Sequence, residues 1–125
     1  MVQNTSKNGS MKIIDAHVHI YPDAIAQRAA QSTCDFYDGL PGKFDGRLDT
    51  LLKEEERLGI VAAVMLPVAV TPDQTQAVNR FAEQAALSHP GRILPFAGLH
   101  PMDENLEKEI DEIEQRGFIG IKLHP

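Results

Sequence analysis

The 125-residue chain has no tryptophan, two tyrosines and one cysteine. A single cysteine, Cys34, excludes an intrachain disulfide, and a reducing compartment is expected. No histidine adjoins Cys34 in the sequence, so an inert thiol is expected there. Basic residues are also scarce: 12 Lys and Arg stand against 18 Asp and Glu, for a formal charge of −6. Neutralising a phosphate backbone needs clustered Lys and Arg, so no nucleic-acid partner is expected. A small anionic substrate in a local pocket remains compatible. Long hydrophobic runs are missing as well. The longest, 60–66, is far below the roughly 20 residues that span a bilayer, and no membrane association is expected. Residues 1–10 (MVQNTSKNGS) are polar, lack the apolar stretch of a signal peptide and are expected to be a disordered lead. The sequence reads as a cytoplasmic protein with one folded part, 11–125.

What is present is a globular balance, with 42% hydrophobic and 24% charged residues. Four short apolar runs, 13–20, 60–66, 93–99 and 118–123, are rich in Val, Ile and Leu and bounded by Gly or Pro. That pattern suits parallel strands buried on both faces. Helical stripes alternate with them. Leu48, Leu51, Leu52 and Leu58 form the first, stopped by Gly59. Val78, Phe81, Ala82 and Ala85 form the second, opened by Thr71-Pro72-Asp73-Gln74 as a cap, a first-turn Pro and a capping-box Gln. Leu106, Ile110 and Ile113 form the third, with Asp103, Glu104 and Glu107 crowding its first turn and Gly117 closing it. The first connection is longer. Residues 23–32 suit an Ala-rich helix and 38–46 (DGLPGKFDG) a loop. Cys34, Phe36, Tyr37 and Phe44 lie around that loop, and either face a substrate from a lid or tuck against the body. The order β-α-β-α-β-α-β predicts right-handed crossovers and a parallel α/β sheet, either doubly wound or part of a (β/α)8 barrel. No Gly-rich phosphate loop is present, which weakens the nucleotide-binding alternative.

The first strand, Ile13-Ile14-Asp15-Ala16-His17-Val18-His19-Ile20, carries the chemistry. Strict alternation puts Ile14, Ala16, Val18 and Ile20 on a helix-packed face and Asp15, His17 and His19 on the other. Two imidazoles about 6.5–7 Å apart at Cα can reach one cation, and neutral imidazole suits Zn, Fe, Mn or Ni. The pair sits at the C-terminal end of a strand, where α/β sites are built. The fourth run repeats the logic. Ile119, Ile121 and Leu123 share one face, while Gly120, Lys122 and His124 share the other and point toward His17 and His19. A lysine in a parallel strand needs a partner or a task. Lys122 either binds substrate, is carboxylated to bridge metals, or pairs with Asp15. His100 ends the third run, where packing of the following loop is as good a role as chemistry.

The stretches 13–22 (IIDAHVHIYP) and 118–125 (FIGIKLHP), with helix-Gly-strand-Pro over 48–67, resemble the metal-dependent amidohydrolases. They resemble most the group that includes aminocarboxymuconate-semialdehyde and resorcylate-type decarboxylases. The resemblance runs from residue 11 to 125. It implies the N-terminal half of a TIM (β/α)8 barrel, four β/α units with metal at the C-terminal face, and a divalent cofactor, Zn or Mn. It makes His17 and His19 the first-strand metal ligands and places Lys122 and His124 at the catalytic face. It implies hydrolysis of an amide, ester or lactone, or non-oxidative decarboxylation, of a small and perhaps carboxylate substrate. Family members take further His and Asp ligands from later strands. A barrel needs about 200 residues or more, so the chain is expected to be part of a longer enzyme. The alternatives are a non-catalytic truncated fragment, or a half-barrel assembly partner that self-associates through its open edges.

Overall fold

A computed structural model describes residues 11–39, 42 and 44–124. The expected disordered lead, part of the expected loop and Pro125 lie outside the described residues. The elements are β1 (Ile13–Val18), α1 (Ala26–Phe36), α2 (Leu48–Leu58), β2 (Ile60–Met65), a short 3-10 turn (Pro72–Gln74), α3 (Thr75–Ser88), β3 (Ile93–Pro95), β4 (Ala97–Leu99), α4 (Leu106–Gln115) and β5 (Ile121–Leu123). No helix among the described residues is long and apolar enough to cross a membrane.

Local chemistry sets most boundaries. Gly59 ends α2 in the left-handed region at φ 73° and donates its N–H to the carbonyls of Glu55 and Glu56, a geometry glycine adopts without a Cβ clash. At the start of α3, Thr71 is extended, but the expected capping box does not form. The Gln74 side-chain oxygen accepts instead from the Val70 N–H at 2.9 Å. Pro72 opens the tighter 3-10 turn, and the α-helix proper begins at Thr75. Helix α1 is displaced from the expected 23–32. Ile25 N–H closes a turn onto the Pro22 carbonyl at 2.9 Å, so the helix starts later and takes in Cys34 and Phe36, which the sequence suggested were loop residues.

Every strand pairing is parallel, with β1 against β2, β2 against β3 and β4 against β5. The third apolar run is divided at Phe96. Its first half pairs back to β2 and its second half forward to β5. The Phe96 N–H donates to the Met65 carbonyl at 3.0 Å and the Ala97 N–H to the Gly120 carbonyl at 2.9 Å, so hydrogen bonding passes through the division unbroken. Spatial order therefore follows chain order with no reversal. A doubly wound sheet reverses at a switch point, whereas a barrel wall adds each strand beside the last. The topology is that of a barrel wall. The fourth run is shorter in the ladder than expected because Phe118 turns under α4 to join both core clusters, with the Arg116 guanidinium 5.5 Å over its ring.

The core lies on one face. Val18, Ile20, Ala63, Met65 and Ile93 pack against Ala82 and Ala85 of α3 and Leu48, Leu51 and Leu52 of α2. The alanines admit the α3 backbone close to the sheet. A second cluster joins Ala97 and Leu99 to Ile113 of α4. Coverage stops short of the edges. Ile14 is 53% exposed and Ala16 is also exposed, contrary to the alternation argument. Ile119, Ile121 and Leu123 are exposed as well, because α4 lies over β4 rather than β5.

One buried clasp locks α3 to the sheet. The Asn79 side-chain oxygen accepts from the Gly98 N–H at 2.7 Å, and its amide donates to the Gly98 carbonyl at 2.9 Å. β2 has ended by this level, and Asn79 supplies the hydrogen bonds a neighbouring strand would give. Gly98 is required for the approach, since a Cβ there would come within 3.2 Å of Val78 Cγ2 and 3.3 Å of the Pro67 carbonyl. Removing the clasp strands two buried backbone groups, each costing about 1–3 kcal/mol. Asn79→Ala is accordingly expected to lower stability by about 3 kcal/mol in urea unfolding. Gln84→Ala, on the exposed side of the same helix, should change it by less than about 0.5 kcal/mol.

Candidate metal centre

The pairing of β1 with β2 is irregular where it matters. Asp15 pairs with Ala63 and Val18 with Met65, so β1 spends one more residue than β2 over the same rise. Ala63, Met65 and Val18 face the helices, and Asp15 therefore faces them too. The expected sharing of one face by Asp15, His17 and His19 is corrected accordingly. The cause is local. Asp15 Oδ1 accepts from the His17 N–H at 3.1 Å, which withdraws that donor from the ladder and produces a bulge. Beyond it the Leu66 N–H donates to the Val18 carbonyl at 3.0 Å and normal pairing resumes. His17 and His19, flanking Val18, point to the face away from the helices.

There the two rings meet edge to face, with centroids 4.8 Å apart and planes at 82°. Their Nε2 atoms are 3.0 Å apart. His19 Nδ1 lies 2.8 Å from the Leu66 carbonyl, which can only accept. Nδ1 of His19 therefore carries the proton and its Nε2 bears a lone pair. The short Nε2···Nε2 contact then requires His17 to donate from Nε2. Two nitrogens each about 2.0–2.1 Å from one cation stand about 2.9–3.4 Å apart for right to tetrahedral angles, so the observed separation already fits a shared ion. The backbone carbonyl behind His19 is the outer support that a metal-bound imidazole usually has. His17 would shift its own proton to Nδ1 on taking up the cation.

Burial holds the His19 imidazole below its ordinary 6.5; the Leu66 hydrogen bond opposes this, and the charges of His17, Lys122 and His124 push further down. Lys122 and His124 thus stand near enough to act on His19, on the face the alternation in β5 gives them. Lys122 is opposite Gly98 in register and half-buried. Its suggested pairing with Asp15 does not occur, since Asp15 is on the other side of the sheet. His100 Nδ1 accepts from the Met102 N–H at 3.1 Å and so shapes the loop after β4. Cys34 is half-buried on α1, and Gly42 lies so near that a Cβ there would clash with its Sγ.

Two contributors were hidden from the sequence. The Leu66 carbonyl leaves no trace in residue identity. Phe36, beside a Gly-rich segment in the sequence, closes α1 with its ring 6.3 Å from that of His124, and Tyr37 stacks edge to face on it at 5.1 Å. Both aromatics are exposed rather than tucked against the body. Among the described residues no group of three or more His, Cys, Asp or Glu side chains is placed around one point. The ring nitrogens that converge are those of His17 and His19.

The family model for amidohydrolases matches residues 14–125. The chain belongs to the amidohydrolase family. No curated protein matches this amidohydrolase chain. Among solved structures it is similar to a probable 2-pyrone-4,6-dicarboxylic acid hydrolase from Acinetobacter baumannii with citric acid bound, at a TM-score of 0.54 and 15% identity. The similarity covers 89% of this chain and 37% of that one, so the chain spans little more than a third of its structural neighbour's length.

Nitrogen-detected NMR of the metal-free protein should find His19 protonated at Nδ1 and His17 at Nε2, with His17 alone switching to Nδ1 on adding Zn. The native pKa of His19 is lowered, so its contribution to stability is whole above about 6.5. That contribution is lost as the pH falls from there through the native value. Unfolding curves against pH should show this decline in the parent, and His19→Gln should remove it.

Proposed function

We propose that this chain carries the first-strand metal ligands and part of the substrate pocket of a metal-dependent hydrolase. The reaction is the opening of an amide, ester or lactone in a small carboxylate substrate. The observation that carries the reading is the convergence of His17 and His19 Nε2 at 3.0 Å, with His19 braced by Leu66. A divalent cation held there, Zn or Mn, would supply Lewis acidity and a water of lowered pKa. The residues do the rest. Leu66 fixes the His19 tautomer, so that its Nε2 is ready as a ligand. The side-chain charges acting on His19 come from His17, Lys122 and His124, all basic groups, so the pocket favours an anion. The Lys122 ammonium anchors the substrate carboxylate. The Phe36 ring and His124 form one wall at the mouth, limiting water around the bound substrate. Whole amidohydrolase barrels complete this arrangement with later strands, and a half-barrel form would reach the same end by pairing with a second copy.

Two imidazoles fall short of the three protein ligands a catalytic zinc site holds. Calorimetric titration of residues 1–125 with Zn should therefore give weak, saturable binding, about 10-fold or more weaker in His17→Ala and in His19→Ala. Lactone, ester and amide carboxylates should not turn over with this chain alone; 2-pyrone-4,6-dicarboxylate belongs in the panel. Tight stoichiometric binding with chelator-sensitive turnover would show that two copies complete the site. Zinc binding that neither histidine variant weakens would refute the reading.

A further inference from the structure

At the carboxyl ends of β1 and β2, a cavity of about 110 Å³ opens between the chain leaving β1 and α3. Ile20 and Met65 floor it, and Val78 and Phe81 form one side. The floor belongs to the buried core. Ile25 and Ala77, which also line the cavity, are exposed, so solvent reaches it past them. Two polar side chains stand in the wall, His19 and Tyr21, and both are engaged. His19 has Nδ1 on the Leu66 carbonyl and Nε2 against His17. The Tyr21 hydroxyl lies 3.2 Å from Thr33 Oγ1. Backbone groups in the wall are engaged too. The Leu66 N–H donates to the Val18 carbonyl, the Tyr21 N–H to the Gly46 carbonyl and the Ile25 N–H to the Pro22 carbonyl. A buried water is held by about two to four polar partners. These walls hold a water poorly and an apolar group well.

We propose that this cavity is a binding site for a short alkyl group carried by a small molecule. Size sets its length. An apolar cavity of about 150 Å³ stays dry and takes up benzene or xenon, so by proportion about 110 Å³ accommodates roughly four carbons. The occupant lies beside the hydrogen bond that braces His19, because His19 and Leu66 both line the cavity. The inference does not rest on metal binding, since no wall of the cavity needs a cation to form it. Such a group arrives either as the chain of a carboxylate held at the histidines or as a neutral apolar ligand. The experiment separates these two sources.

The test is methyl NMR of residues 1–125 titrated with xenon, with n-butane and with straight-chain carboxylates from acetate to hexanoate. Saturable shifts at the Ile20, Ile25, Met65 and Val78 methyls are expected with xenon, butane and pentanoate. Affinity along the series should rise about 4-fold per methylene up to pentanoate, as expected for burying one methylene, and then level off as the cavity fills. Ala77→Leu and Ile25→Phe fill the entrance from exposed positions, where the fold tolerates change. Each should weaken butane binding about 10-fold, the equivalent of nearly two methylenes. Pentanoate binding that zinc tightens and His17→Ala loosens assigns the chain to a ligand of the histidine pair. Pentanoate held equally with and without zinc assigns it to an independent apolar ligand. Failure of the metal reading leaves the butane result untouched. No saturable shift with xenon or butane, a flat carboxylate series, or full butane affinity in both filled variants would overturn the proposal.

Discussion

The candidate site depends on one local hydrogen bond, from the His17 N–H to the Asp15 carboxylate at 3.1 Å. A regular strand would leave that N–H in the ladder and keep Asp15 beside the histidines. Diverting it inserts an extra residue into β1 between Asp15 and Val18. Three consequences follow together. Val18 and Ile20 enter the helix-packed core. His17 and His19 turn to the opposite face with their Nε2 atoms converging. Asp15 is left on the helix side, against the buried Glu55. A single acid thus separates a chemical face from a structural one over six residues.

The sheet around that strand is arranged to hold the face open. Small residues do much of this. Ala63, Ala82 and Ala85 bring α3 close beneath the sheet, and Gly98 lets Asn79 stand in for a strand where β2 has ended. Gly120 serves the other face, since any Cβ there would overlap the Phe96 ring. The exposed edges tell the same story from outside. Ile14 on β1 and Ile119 and Leu123 around β5 are apolar and uncovered, as expected where a barrel wall continues beyond the strands described.

Much of this was legible in the sequence, for identifiable reasons. Residues 60–66 and the Leu48–Leu58 stripe were plain because one buried face and a glycine stop leave little freedom. That His17 and His19 share a face was legible because period-two alternation holds beyond the bulge, from His17 to Ile20. Alternation failed for Asp15 because a side-chain-to-backbone bond is a local competitor that residue type alone does not reveal. Ile14 is exposed for the same reason, since turning Asp15 toward the helices turns its neighbour away from them, whereas for Ile121 the burial argument failed because burial depends on what lies across the face, which no local pattern contains. The later start of α1 followed from a Pro22–Ile25 turn that the composition of 23–32 does not show.

The central claim is that the bulged first strand presents two Nε2 atoms to one cation. The most direct measurement is a crystal structure of the zinc-soaked protein, with the ion located by its anomalous scattering. The account predicts one ion about 2.0–2.1 Å from Nε2 of both His17 and His19, with His19 Nδ1 still on the Leu66 carbonyl. An ion bound through Nδ1 of either ring, or found only elsewhere on the chain, would contradict it.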